Sequence, residues 1–179
     1  MAKKAKPAVT VSPLGAILRG MVAGAVGIAA FDAFNYALYR SGGGTDAPLG
    51  WEFSEGLDSW DNAPAPAIIG KRVVEGVFQK EVPPSRARTY NNVMHWGYGL
   101  MWGAQYGIVA TSLRRRRLQG PLFGTMVWLS GYVVLPLAKL YKPIWEYDAK
   151  VLGKDWAAHL VYGTTTAAAF AAMSRKERA

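Results

Sequence analysis

Four long apolar stretches alternate with polar segments along the chain. Residues 13–40, 90–113, 120–140 and 155–173 are each mainly apolar, and a helix needs roughly 20 such residues to cross a bilayer. They predict an all-α polytopic membrane protein, a four-transmembrane-helix bundle over residues 13–173, flanked by tails at 1–12 and 174–179. The first stretch exceeds the roughly 7–15 apolar residues of a cleavable signal peptide, so an uncleaved first span is expected. Between the first two spans, residues 41–89 form the longest polar segment, within which Ile69, Val73 and Val77 recur at helical spacing with Gly70, Val74 and Phe78 alongside. Asp61 and Asn62 are the expected N-caps of this helix and Pro83-Pro84 its stop. Lys71, Arg72 and Glu75 make it too charged to span, so it should lie on the bilayer surface or cap the bundle as an extracytoplasmic amphipathic helix.

Small residues recur inside the spans. Gly20-x-x-x-Gly24 lies in the first, Gly99-x-x-x-Gly103-x-x-x-Gly107 in the second and Gly120-x-x-x-Gly124 in the third, while the fourth carries Gly163 and Ala167 to Ala169. Lipid tails are as apolar as leucine, so helices in a bilayer associate through close packing and polar contacts. Packing within the bundle is the expected role of these glycines; homodimerisation through Gly99, Gly103 and Gly107 is the alternative. Glycine pairs in spans one and three, with a histidine in each of spans two and four, read as two hairpins in tandem.

Charge then orients the bundle. The 179 residues carry a formal net charge of +9, but the basic residues are clustered: Lys3, Lys4 and Lys6, Arg114 to Arg117, and Arg175, Lys176 and Arg178. With four spans these three clusters share a side, while Asp46, Glu52, Glu55, Asp58, Glu146 and Asp148 fall on the other. Short loops rich in Lys and Arg stay cytoplasmic, which places both termini inside and makes the positive charge a topology signal, with no nucleic-acid partner expected. The chain has no cysteine, which excludes disulfides, thiolate metal sites and covalently attached haem.

The candidate chemistry is a polar cluster. The two histidines sit in related runs, Asn91-x-x-x-His95-x-x-Tyr98-Gly99 and Asp155-x-x-x-His159-x-x-Tyr162-Gly163. Both runs start at the outer surface, so at ~1.5 Å per residue each histidine lies roughly 6–8 Å deep. Asp32 and Asn35 reach the same half from the first span. An ionisable residue in a span is costly and normally faces the bundle interior; for Asp32 the expected partners are a histidine, Asn35 or Tyr98. Asn91, His95, Tyr98, Asp155, His159 and Tyr162 complete the cluster.

Several roles stay open for it. A structural hydrogen-bonded network is one, and a site for protons or a small solute is another. A third is haem b in a redox membrane subunit, with His95 and His159 as axial ligands at equal depth. A divalent metal on Asp32, His95 and His159 lacks any spacing signature, and no cofactor or metal is assigned. No nucleophile elbow, phosphate loop or HExxH motif is present, so no catalytic residue is named and a non-enzymatic accessory or stress-related component is expected, with the bilayer and a membrane complex or homo-oligomer as partners.

Three stretches also carry a family resemblance: His95-Trp96-Gly97-Tyr98-Gly99 with Tyr106, Gly120-Pro121-Leu122-Phe123-Gly124-Thr125-Met126-Val127-Trp128 followed by Val133-Val134-Leu135-Pro136, and His159-Leu160-Val161-Tyr162. In these the chain resembles the YagU-like family of small bacterial inner-membrane proteins of unknown molecular function. The likeness covers spans two to four, with histidine at the positions of His95 and His159, and does not extend to Asp32 and Asn35. It implies a multi-pass protein of the bacterial cytoplasmic membrane and no particular activity.

Overall fold

The computed structural model of the chain describes residues 12–112 and 118–175, and the regular elements among them are all helical. They are α1 (Pro13–Ser41), α2 (Pro48–Glu52), α3 (Ala65–Phe78), α4 (Ala87–Ser112), α5 (Gln119–Leu137) and α6 (Ala149–Arg175), with 3-10 turns at Pro84–Arg86 and Ile144–Glu146. The clusters Lys3 to Lys6 and Arg114 to Arg117, with Lys176 and Arg178, lie outside the described residues.

Local chemistry sets the ends. Ser12 accepts from the Gly15 N–H at 3.1 Å and Pro13 occupies the first helical position, so α1 starts on a capped turn. Pro136 ends α5 within a residue, and Lys139 follows in the left-handed region with φ of 56°. The fourth long helix begins at Ala149 and not near Asp155, because the Asp148 carboxylate accepts from the Lys150 N–H at 2.7 Å and caps it there. The expected caps Asp61 and Asn62 do not start the amphipathic helix. It starts after Pro64 with no side-chain cap, its first turn set by the fixed φ of Pro66.

By length and composition α1 and α5 can each cross a membrane. The other two long helices, of 26 and 27 residues, exceed the span length but are more polar. Their polar residues are the reason: α4 carries Asn91, Asn92, His95 and Gln105, and α6 carries Lys154, Asp155, His159 and three consecutive threonines.

α1 is central, packing along both α4 and α6; α5 packs on α6 and α3 lies on α4. The α1–α4 seam is the glycine stripe, where the position a Cβ would take on Gly103 is occupied by the Gly20 carbonyl and the Gly24 backbone. The α5–α6 seam repeats the device with Gly163 against Gly120 and Gly124. The stripe of Gly99, Gly103 and Gly107 is therefore covered by α1 within the same chain.

Burial along these helices is inverted relative to a water-soluble bundle. The buried face of α1 holds Ala16, Gly20, Ala23, Gly24 and Gly27, while Leu14, Leu18, Val22 and Val26 lie exposed at four-residue spacing. α5 likewise turns Leu122, Met126, Leu129 and Val133 outward. α3 follows the same rule: Ala67 and Gly70 are buried, while Val73, Val77 and Phe78 are exposed. The helix thus docks through its small residues, because a side chain on Gly70 would run into Tyr90 and Met94 of α4.

Candidate functional site

The cluster forms where the C-terminal half of α1 meets the N-terminal halves of α4 and α6, and it is built as two histidine–carboxylate pairs. Asp32, 6% exposed, accepts from His95 Nε2 through both oxygens at 3.0 and 2.9 Å. Of its three expected partners, the histidine of α4 is the one it meets. The second pair lies within α6: His159 Nδ1 donates to the Asp155 carbonyl at 2.8 Å and stands 3.4 Å from the Asp155 carboxylate. That carboxylate also accepts from Trp128 Nε1 at 3.1 Å and Tyr132 O–H at 2.9 Å, which ties α6 to α5. Phe31 packs its ring against both imidazoles, with centroids 6.3 Å from His95 and 5.0 Å from His159.

Both histidines line one cavity of about 500 Å³ bounded by α1, α3, α4, α5 and α6. Its wall is mainly apolar, with Met94, Trp102, Val127 and Leu135 among the lining residues. Four other cluster residues have separate partners. Asn35 donates to the Phe31 carbonyl one turn back on its own helix. Tyr98 O–H and Ser130 Oγ pair at 3.1 Å across α4 and α5. Tyr162 is buried and donates to the Gly99 carbonyl at 2.7 Å, closing α6 onto α4. Asn91 donates to Ser54 Oγ at 2.8 Å, anchoring the outer loop.

That anchor brings in a residue outside the sequence-derived cluster. The Phe53 carbonyl accepts from Arg88 at 2.8 Å and Asn92 at 3.0 Å, so the end of α2 is pinned over the start of α4. On the other side, Trp51 stacks near Tyr36 of α1 with centroids 5.4 Å apart. Glu52, between these anchors, is thereby held beside Asp32, His95 and Trp96. Partial burial first, and the Asp32 charge second, push its carboxyl up to about 7. In the sequence Glu52 is one acid in an aromatic loop; the only signal was the polar edge Arg88, Asn91 and Asn92 on α4, which needs a partner.

The sign of the resulting pH dependence follows. The folded state keeps a proton on Glu52 that the unfolded chain releases between its ordinary 4.5 and about 7. Docking of the α2 loop is therefore strongest below that window, weakens as pH rises through it and is flat above. Hydrogen exchange over residues 46–60, corrected for intrinsic rates, should show more protection at about pH 5 than at about pH 8. Glu52→Gln should abolish the difference; equal wild-type protection at both values would contradict the assignment.

Haem b held by two histidines would need a free ring nitrogen from each aimed at one iron. His95 Nε2 instead faces Asp32, and the ring of Phe31 packs on both imidazoles. That leaves Nδ1 as the His95 nitrogen open to an iron, with the carboxylate on the other nitrogen as metal-ligating histidines commonly have it. Among the described residues no group of three or more His, Asp or Glu side chains converges as a metal ligand set, so Asp32, His95 and His159 do not form one. What the arrangement can do is hold a proton between a histidine and two carboxylates, and offer polar groups to a small molecule in a largely apolar cavity.

Comparison with protein-family models, with curated proteins and with solved structures yields no match, so the likeness to the YagU-like proteins rests on its three motifs and the site is read from its own geometry.

Proposed function

We propose that the chain is a small, non-enzymatic integral protein of a bacterial cytoplasmic membrane. In this reading α1, α4, α5 and α6 span the bilayer, both termini are cytoplasmic, and the outer-half cavity binds a small solute beside a proton-exchanging histidine pair. The observation that carries the site is the convergence of His95 and His159, each with its own aspartate, on one cavity. The inverted burial supports the membrane reading, since continuous exposed rows such as Leu14, Leu18, Val22 and Val26 suit lipid and would promote association in water. The polar faces of α4 and α6 suit spans whose expensive residues turn inward.

Topology is directly testable because the chain has no cysteine. Ser59→Cys should react with an impermeant maleimide on intact cells, and Lys4→Cys only after the membrane is opened. Labelling of Lys4→Cys on intact cells would overturn the orientation. For the site, Trp102 and Trp128 line the cavity and report on it. Tryptophan emission in lipid nanodiscs should change with pH in the wild type and lose that component in His95→Gln with His159→Gln; identical profiles would overturn proton exchange.

A further inference from the structure

The cavity has a roof, a floor and one open side. Its roof toward the outer aqueous face is α3, whose Ala65, Pro66 and Ile69 line it. Arg72 of α3 donates to the Ala138 carbonyl just past α5 and ties this roof down. The floor is aromatic: Tyr162 of α6 lines it, backed by Phe123 of α5 with centroids 5.8 Å apart, and Phe123 in turn meets Tyr106 of α4 at 4.8 Å. Between roof and floor, α4 and α5 form no extended backbone seam of the kind that joins α1 to α4 or α5 to α6. Met101 on α4 and Val134 on α5 both line the cavity and are 50% and 57% exposed. The opening is therefore lateral and apolar-rimmed, and in a bilayer it faces acyl chains. The Tyr98–Ser130 hydroxyl pair is the polar link across it.

The interior also states what head group it takes. His159 donates its Nδ1 proton to the Asp155 carbonyl, which leaves Nε2 as the nitrogen able to accept from a ligand when the ring carries a single proton. Trp102 lines the cavity, and its indole N–H is buried with no partner, a donor that ordinarily finds one. That N–H is closed off from the cavity, so the polar contact the interior offers is the His159 acceptor, and a hydroxyl is a neutral donor that matches it. The carboxylates of Asp32 and Asp155 beside the two imidazoles disfavour an anionic head.

We infer that the gap between α4 and α5 is a lateral portal through which a neutral, hydroxyl-headed amphiphile of the outer leaflet enters and binds. The apolar body lies against Met101, Val127, Val134 and the Trp102 ring, and the hydroxyl donates to His159. The inference rests on the membrane reading above and names the class of solute for the same cavity.

Gly131 supplies the test. It lines the cavity, and a Cβ built on it meets nothing within 4 Å, so the first atom of a larger side chain enters without a clash and the rest narrows the cavity wall. Gly97 is equally unobstructed but lies outside the lining, and serves as control. The full chain in nanodiscs is photolabelled with a long-chain alcohol carrying a diazirine, and labelled peptides are mapped by mass spectrometry. Labelling of the outer halves of α4 and α5 should fall about tenfold in Gly131→Phe, remain in Gly97→Phe, and be weaker for the matching carboxylic-acid probe. Should Gly131→Phe fail to fold, the wild type alone decides: excess unlabelled alcohol must suppress labelling at the cavity and not at Leu122, which faces outward on α5. Equal labelling of both variants, equal labelling by acid and alcohol, or uniform competition would each overturn the proposal. If the cysteine experiment gives the stated topology while these fail, the portal alone is wrong.

Discussion

Gly103→Leu is expected to remove most of the folded protein, while Gly97→Leu, only two turns away, leaves it unchanged or slightly more stable. The two positions are both helical glycines of α4, and their surroundings decide the difference. At Gly103 the added Cβ would fall on the Gly20 carbonyl and the Gly24 backbone of α1. Backbone cannot rotate out of the way as a side chain can, so α1 and α4 must separate along the seam. Overpacking usually costs about 1–3 kcal/mol when side chains can adjust, and more where they cannot. At Gly97 nothing lies within 4 Å of the same Cβ, and replacing a helical glycine gains up to about 1 kcal/mol. Thermal unfolding in detergent and the monomeric fraction on gel filtration measure both. A Gly103→Leu protein with a wild-type melting curve would mean that α1 and α4 do not meet through this stripe.

The same seam shows how far sequence reasoning reaches. Glycines at four-residue spacing in an apolar segment announce a close helix contact, and they announce it equally for a partner in the same chain or in a second copy. Only the placement of α1 resolves that choice. The helices themselves were legible because long apolar runs bounded by caps and prolines leave few alternatives, and Asp32 stood out because an acid inside such a run needs a partner. The choice of His95 over Asn35 or Tyr98 was not legible: it depends on the rotation of α1 against α4, which the glycine seam fixes. Glu52 escaped for a related reason. It is brought in by hydrogen bonds from Arg88, Asn91 and Asn92 to Phe53 and Ser54, contacts between distant segments that no local pattern encodes. The docking face of α3 was not legible either: the periodicity of Val73 and Val77 marks an apolar face, while the contact with α4 is made through Ala67 and Gly70.

The Asp32–His95 pair should separate structure from function through one double-mutant cycle. His95→Leu leaves Asp32 buried and unpaired, with Glu52 nearby and no cation replacing the imidazole. Removing one partner of a buried ion pair costs about 3–5 kcal/mol, whereas a neutral interhelical hydrogen bond in a bilayer averages only about 0.6. The size of the loss therefore reports the state of the pair: a shift near the larger figure means that charge is held there. Asp32→Leu with His95→Leu removes both groups, and apolar replacement of a whole buried pair is often neutral or stabilising by about 1–4 kcal/mol. The expected pattern is a strongly destabilised His95→Leu, with the double variant restored to wild-type stability or above. Because the double variant keeps the glycine seam and the aromatic floor, it should still form the bundle while losing the His95 share of its pH-dependent tryptophan signal and keeping that of His159. A double variant as unstable as the single one would show the pair to be part of the packing, and the cluster would then be structural. Restored stability would mean that the fold does not require these two expensive residues, which leaves the chemistry of the cavity as the reason for their presence.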